Sequence, residues 1–227
     1  MEHEITHRPM AAQLTLTLEA GESVRAEGGA MVSQSGDLDI STQAEGGLLK
    51  SLSRSVFGGE SFFMNTFSAS GPSSVQLAPA LAGDIQHHRL DSETLFVQST
   101  SFLAAHPDVA VDTKFGGGKS FFGGEGLFLL QLSGTGPAFL ASYGAIDEHT
   151  VEPGEPLTVD TGHIVAFEAS VEFDVRRVGG LKSTLFSGEG LVCEFTGSGT
   201  VWTQTRSPDA FLAWLIPKLP TRSSSSQ

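Results

Sequence analysis

Apolar and polar residues alternate, or gather in short runs closed by glycine, along most of this chain. Leu14-Thr15-Leu16-Thr17-Leu18 alternates strictly, which puts three leucines on one face of an extended segment and the threonines on the other. Val165 to Val175 alternates as one strand, with Val171, Phe173 and Val175 sharing a face. The run Leu127-Phe128-Leu129-Leu130-Gln131-Leu132 is apolar nearly throughout, which predicts a strand covered on both faces. The 27 glycines and 10 prolines fall at intervals between such runs, the spacing expected of an all-β sandwich or barrel.

One segment departs from this pattern. Ser207-Pro208-Asp209 combines a hydroxyl N-cap, a proline at the first helical position and an acid in the first turn, and Phe211, Leu212, Trp214, Leu215 and Ile216 follow. A short helix is predicted over 207–217, ended by Pro217. The polar tail from Thr221 to Gln227 is predicted to be disordered.

The strand pattern repeats. Phe57-Gly58-Gly59-Glu60, Phe122-Gly123-Gly124-Glu125 and Phe186-Ser187-Gly188-Glu189 each open an apolar stretch, with the glutamates 65 and then 64 residues apart. Gly71-Pro72, Gly136-Pro137 and Gly199-Thr200 follow at nearly equal distances. Ahead of these, Leu18–Val32 resembles Val151–Val165, and Leu95–Leu103 is a shorter version. The chain therefore reads as one β domain over 5–220, built from three repeats of about 5–80, 81–144 and 145–206.

Composition narrows the function classes. With 26 acidic against 13 basic residues the formal net charge is −13, and only Arg176-Arg177 stand adjacent, so a nucleic-acid role is not expected. The single Cys193 precludes an internal disulfide, and the charged start Met1-Glu2-His3-Glu4 lacks a signal or transit pattern, which together favour the cytoplasm. No apolar run is long enough to span a bilayer.

Candidate chemistry is sparse. Equivalent glutamates Glu60, Glu125 and Glu189 could meet on a pseudo-threefold axis and hold a cation; the simpler expectation is that each accepts N–H bonds from its own glycine-rich turn. The seven histidines include an i,i+4 pair (His3, His7) and the adjacent His87-His88, but no His-x-His, so no metal site is assigned. Cys193 sits within Leu191-Val192-Cys193-Glu194-Phe195 as an expected buried thiol. Gly116-Gly117-Gly118-Lys119-Ser120 lacks the first glycine of a phosphate loop, since position 113 is threonine. No catalytic, cofactor-binding or metal residues are therefore expected. Two short apolar segments, Leu48-Leu49-Lys50-Ser51-Leu52 and Phe211 to Ile216, are the candidate contact surfaces, through Leu48, Leu49, Leu52, Phe211, Trp214 and Leu215.

Ala26–Val32, Gly59–Phe63, Tyr143–Ile146, Val159–His163 and Gly188–Val192, taken in order, closely resemble the family of altered inheritance of mitochondria protein 24, over about Ile5 to Pro220. The resemblance implies a β architecture similar to the tryptophan RNA-binding attenuation protein: a double-stranded β-helix-like domain with three pseudo-symmetric repeats. It implies no RNA or tryptophan binding, because fold does not carry function. The expectation is a non-enzymatic, cytoplasmic, homo-oligomeric β scaffold, in contact with a protein partner or a membrane surface and linked to membrane organisation or stress. The alternative is a small-molecule or metal-binding domain using a barrel interior or the threefold axis.

Overall fold

The computed structural model describes residues 1–43, 63–112, 128–177 and 191–220. The first third of the chain contributes β1 (Glu2–Thr6), β2 (Gln13–Leu18), β3 (Ser23–Glu27), β4 (Met31–Ser35), β5 (Leu38–Gln43), β6 (Met64–Ala69) and β7 (Ser73–Leu77). The middle third has two long strands, β8 (Ile85–Gln98) and β11 (Leu129–Ala141), with β9 (Phe102–Ala105) and β10 (Val109–Asp112) between them. The last third adds β12 (Ile146–Val151), β13 (Leu157–Asp160), β14 (Ile164–Glu168), β15 (Val171–Arg177), β16 (Leu191–Gly197) and β17 (Gly199–Gln204). Helix α1 (Pro208–Leu215) follows. Among the described residues the fold is predominantly β, with one short α-helix, α1.

The pairing is antiparallel and follows one scheme in each third. In the first, β2 and β4 flank β7 while β3 and β5 flank β6. In the last, β12 and β14 flank β17 while β13 and β15 flank β16. The middle third does the same with strands that run on. The first half of β8 and all of β9 flank the second half of β11, and the second half of β8 and all of β10 flank the first half of β11. A one-residue register shift recurs in β4, β9 and β14, skipping Val32, Leu103 and Val165 respectively. Such a bulge bends its strand and turns successive side chains inward.

These pairings form a four-stranded, a 10-stranded and a three-stranded sheet. The largest folds back on itself. Trp202 is linked through Ala166 to Val97, in the second half of β8, yet its ring lies 5.3 Å from that of His88 in the first half. Nine residues of extended strand span about 30 Å, so the two halves of β8 must belong to different, facing layers. The fold-over lies at Ser92 (φ 62°), Gly134 (φ 122°) and Gly136 (φ 147°), beside a register shift. A Cβ on Gly134 would stand 2.3 Å from the Asp108 carbonyl oxygen, so only glycine fits there.

The molecule is thus a row of four layers with three apolar clusters between them. The first holds Leu14, Leu16, Leu18, Phe67 and Phe139; the second Val97, Phe102, Leu130 and Leu140; the third Phe167, Cys193, Phe195 and Val201. Leu129 and Leu130 enter different clusters, as a strand covered on both faces requires. The outermost layers, β1-β2-β7-β4 and β13-β16-β15, sit at opposite ends of the row.

Two expectations are corrected here. The sheets form an open stack and not a closed barrel, because the first and last layers meet different clusters and do not pair with each other among the described strands. The pseudo-threefold axis therefore has no closed ring to stand on. The predicted single strand from Val165 to Val175 is two strands, β14 and β15, separated by a turn at Ala169-Ser170.

Candidate interaction surface

Helix α1 starts where the sequence places it. Ser207 Oγ accepts the Ala210 N–H at 3.4 Å and Pro208 occupies the first turn. Several close contacts anchor this start. A Cβ on Gly162 would lie 2.6 Å from Ser207 Oγ, and one on Gly144 would lie 2.3 Å from Thr205 Oγ1, so both glycines are needed for the approach. Gln204, buried, accepts the Tyr143 N–H at 2.7 Å and donates to the Gly162 carbonyl at 2.9 Å. His163 Nδ1 lies 2.7 Å from the Gln204 carbonyl oxygen, and Asp160 accepts the Gly162 N–H. The Tyr143–Ile146 and Val159–His163 motifs thus build the seat of the helix.

The helix itself is poorly covered. Phe211 lies half-buried with its ring edge-on to Tyr143 at 5.9 Å, while Trp214 stacks outside it and is 58% exposed. Lys218 Nζ sits 4.9 Å from the Trp214 ring centre, a cation–π contact. Leu212, Ile216 and Leu219 are also exposed, and no helix residue is fully buried. Of the predicted contact residues, Trp214 is on the surface, whereas Phe211 and Leu215 are half-buried. Leu48, Leu49 and Leu52 lie outside the described residues, as do Glu60, Glu125 and Glu189.

Strand β4 was not singled out by its sequence, yet it is exposed along its whole length, including Met31 and Val32. A signal existed: Ala26–Val32 belongs to the same repeated segment as Val159–Val165, but polar Ser33-Gln34-Ser35 follow in the first copy where Ala166-Phe167 follow in the last.

The titratable residues are distributed across the layers. His3 packs on His87 at 4.3 Å, with Phe139 beside both. Burial, then the charges of His3, His88 and Arg89, hold His87 below its ordinary value. His88 pairs with Glu93 at 2.9 Å, His149 bonds Thr203 at 2.8 Å, and His106 stands near Asp108. Among the described residues no three His, Cys, Asp or Glu side chains gather where they could hold a metal ion. Cys193 is buried, and its thiol is pushed up to about 12 by burial first and the nearby Asp174 charge second. A thiol in that state is a packing group and not a nucleophile at neutral pH. Buried Asp84 takes two hydrogen bonds from Arg8, at 2.7 and 2.9 Å, and a third from the Ile85 N–H. The carboxylate raises the Arg8 pKa, chiefly through that hydrogen bonding. This pair fastens the loop after β1 to the start of β8. No helix among the described residues is long and apolar enough to cross a membrane.

An uncharacterized protein of Streptococcus pyogenes serotype M6 is 29% identical over 216 residues, 92% of this chain and 87% of its own. A crystal structure of a Streptococcus pyogenes protein superposes with a TM-score of 0.81 at 26% identity, covering 96% of this chain and 99% of the other. Neither description names a reaction. The model of the AIM24 mitochondrial biogenesis family matches residues 3–206, nearly the whole chain. The protein belongs to the AIM24 mitochondrial biogenesis family.

Proposed function

We propose that this protein is a non-enzymatic β scaffold that works by assembling with copies of itself and holding a protein partner. The architecture we infer is the three-repeat, double-stranded β-helix-like one shared with the tryptophan RNA-binding attenuation protein. The same four strand pairings in each third of the chain support it. The observation that carries the functional reading is the large apolar side chains held outward on ordered elements: Leu212, Trp214 and Ile216 at the helix, and Met31 and Val32 on β4. Grouped apolar side chains on an ordered surface are favoured where another surface covers them. The net charge of −13 points to a partner other than an anionic membrane or nucleic acid, and a cytoplasmic location fits that surface.

Light scattering on the full chain tests the reading. Assemblies well above the 23.9 kDa of one chain are expected at tens of micromolar. A strict monomer at that concentration refutes self-assembly.

A further inference from the structure

Among the described strands, β1 has no counterpart in the other two thirds. It lies along the outer edge of β2, from Glu2 opposite Thr17 to Thr6 opposite Gln13. β12 and the first half of β8 hold the place of β2 in their own thirds, and no described strand lies outside either of them. The repeated scheme is complete without β1, which is an addition to its edge.

The inward face of this segment carries one polar side chain. Met1 and Ile5 pack against the first apolar cluster, and His3 lies between them on the same face. There it meets a second histidine from the next layer. Its ring lies 4.3 Å from that of His87 and 5.1 Å from that of Phe139, which is fully buried and stands opposite His87 in the β8–β11 ladder.

No carboxylate answers a proton at this contact. Burial, then the charges of His3, His88 and Arg89, oppose protonation of His87, and all three of those groups are basic. His88 projects to the other face of β8, where it pairs with Glu93. Glu2 and Glu4 alternate to the outer face of β1, and the β2 residues opposite them and His3 are uncharged. The flanking residues of Phe139 on β11, Ala138 and Leu140, are uncharged too. Glu22 is engaged by the Met1 amine, which with the Glu19 N–H holds its carboxyl below the usual range, so that pair stays ionised while the histidines titrate. Asp84 is engaged by Arg8. With β1 lifted, His87 faces water and takes a proton near its ordinary 6.5, whereas the closed molecule takes it only at lower pH. Between those values the open form holds more protons, so closure weakens as the pH falls.

We propose that β1 is an acid-released cover: protonation of His3 and His87 swings Met1–Thr6 off the outer edge of β2 and bares that edge. The loop after β1 is the pivot, because Arg8 stays bonded to Asp84 and the Ala12 N–H to the Gly83 carbonyl at 2.9 Å. The bared β2 presents unpaired N–H and C=O groups, where an extended segment adds to a sheet. The device depends on β1 and β8 and not on the scaffold reading.

Hydrogen exchange of the full chain at pH 7.5 and pH 5, with each rate divided by the intrinsic rate at that pH, tests it. Residues 1–6 and the β2 amides that face them are expected to lose protection about tenfold or more at pH 5, while β4, β7, β8 and β11 keep theirs. The double variant His3→Gln/His87→Gln is expected to hold the same protection at both pH values. Side-chain NMR of the wild-type histidines gives a check that needs no variant, since release should follow the titration of His87. Equal protection of β1 at both pH values overturns the proposal. A loss of equal size in β4 and β7 also does so, because the whole layer would then be opening. So does a loss that persists in the double variant, or one that occurs while His87 is still neutral.

Discussion

β4 and β14 hold the same place in their respective thirds. Each flanks the strand that ends its third, each carries the same one-residue bulge, and each precedes a strand on the neighbouring group. Yet β14 is buried at four of its five residues and β4 at none. The difference in pairing lies on the far edge, where β14 receives β8 and β4 receives no described strand, and the residues match it: Ala166-Phe167 in β14 against Ser33-Gln34 in β4. Local pairing therefore makes the strand; the neighbouring third makes it a core strand.

The largest test of this contrast is truncation at matched positions. Phe167 in β14 is fully buried and touches Phe96, Phe173 and Phe195, so Phe167→Ala is expected to cost about 3–5 kcal/mol. Its equivalent in β4 is Gln34, and Gln34→Ala is expected to change stability by less than about 0.5 kcal/mol. Urea denaturation of dilute protein measures both; equal effects would erase the distinction between the strands.

A smaller effect separates the turns. Gly21 and Gly154 take positive φ at the corner where the outer thirds pass from one layer to the next, and Ser92 takes φ 62° at the equivalent corner of the middle third. Ser92→Gly is expected to stabilise by about 1 kcal/mol, and Gly154→Ser to destabilise by a similar amount. The melting temperatures should move in opposite directions; a shared direction would show that the corners are not equivalent.

The smallest concerns the end layer that carries β4, which His3 of β1 helps to seat on His87. The unfolded chain binds a proton on His87 near its ordinary 6.5, and the folded chain only at lower pH. In the window below 6.5 the unfolded state therefore holds more protons, so this contribution to stability is full above 6.5 and is lost as pH falls through the folded value. His87→Gln should show a smaller drop in urea midpoint between pH 7.5 and pH 5 than the wild type. An unchanged pH dependence would remove His87 from the account.

Much of the secondary structure was legible in the residues. The alternation in Leu14–Leu18 corresponds to three leucines that are fully buried, and Ser207-Pro208 caps the helix as its composition demands. The repeated segments also line up with the recurring bulge and corners. The layer arrangement was not legible, because strand period reports which residues share a face and not which sheet that face meets. At Ser92 a single serine replaces the glycine of the other thirds, so nothing marks the corner within β8. The contact surface was half legible. The helix announces itself by its apolar content, but Met31 and Val32 look like core residues, since in the other copies they are.

The continuity of β8 and β11 through that corner has a consequence for how the molecule opens. Each strand contributes hydrogen bonds to two layers at once, so the middle layers cannot lose their ladders separately. The outer layers are joined to the rest by separate short strands and can open alone. Amide exchange should then divide the chain into a slow centre, around β8 and β11, and two faster ends. One of those ends carries β4, part of the surface proposed for self-assembly, so an assembly joined there would slow the exchange of that end and leave the centre unchanged.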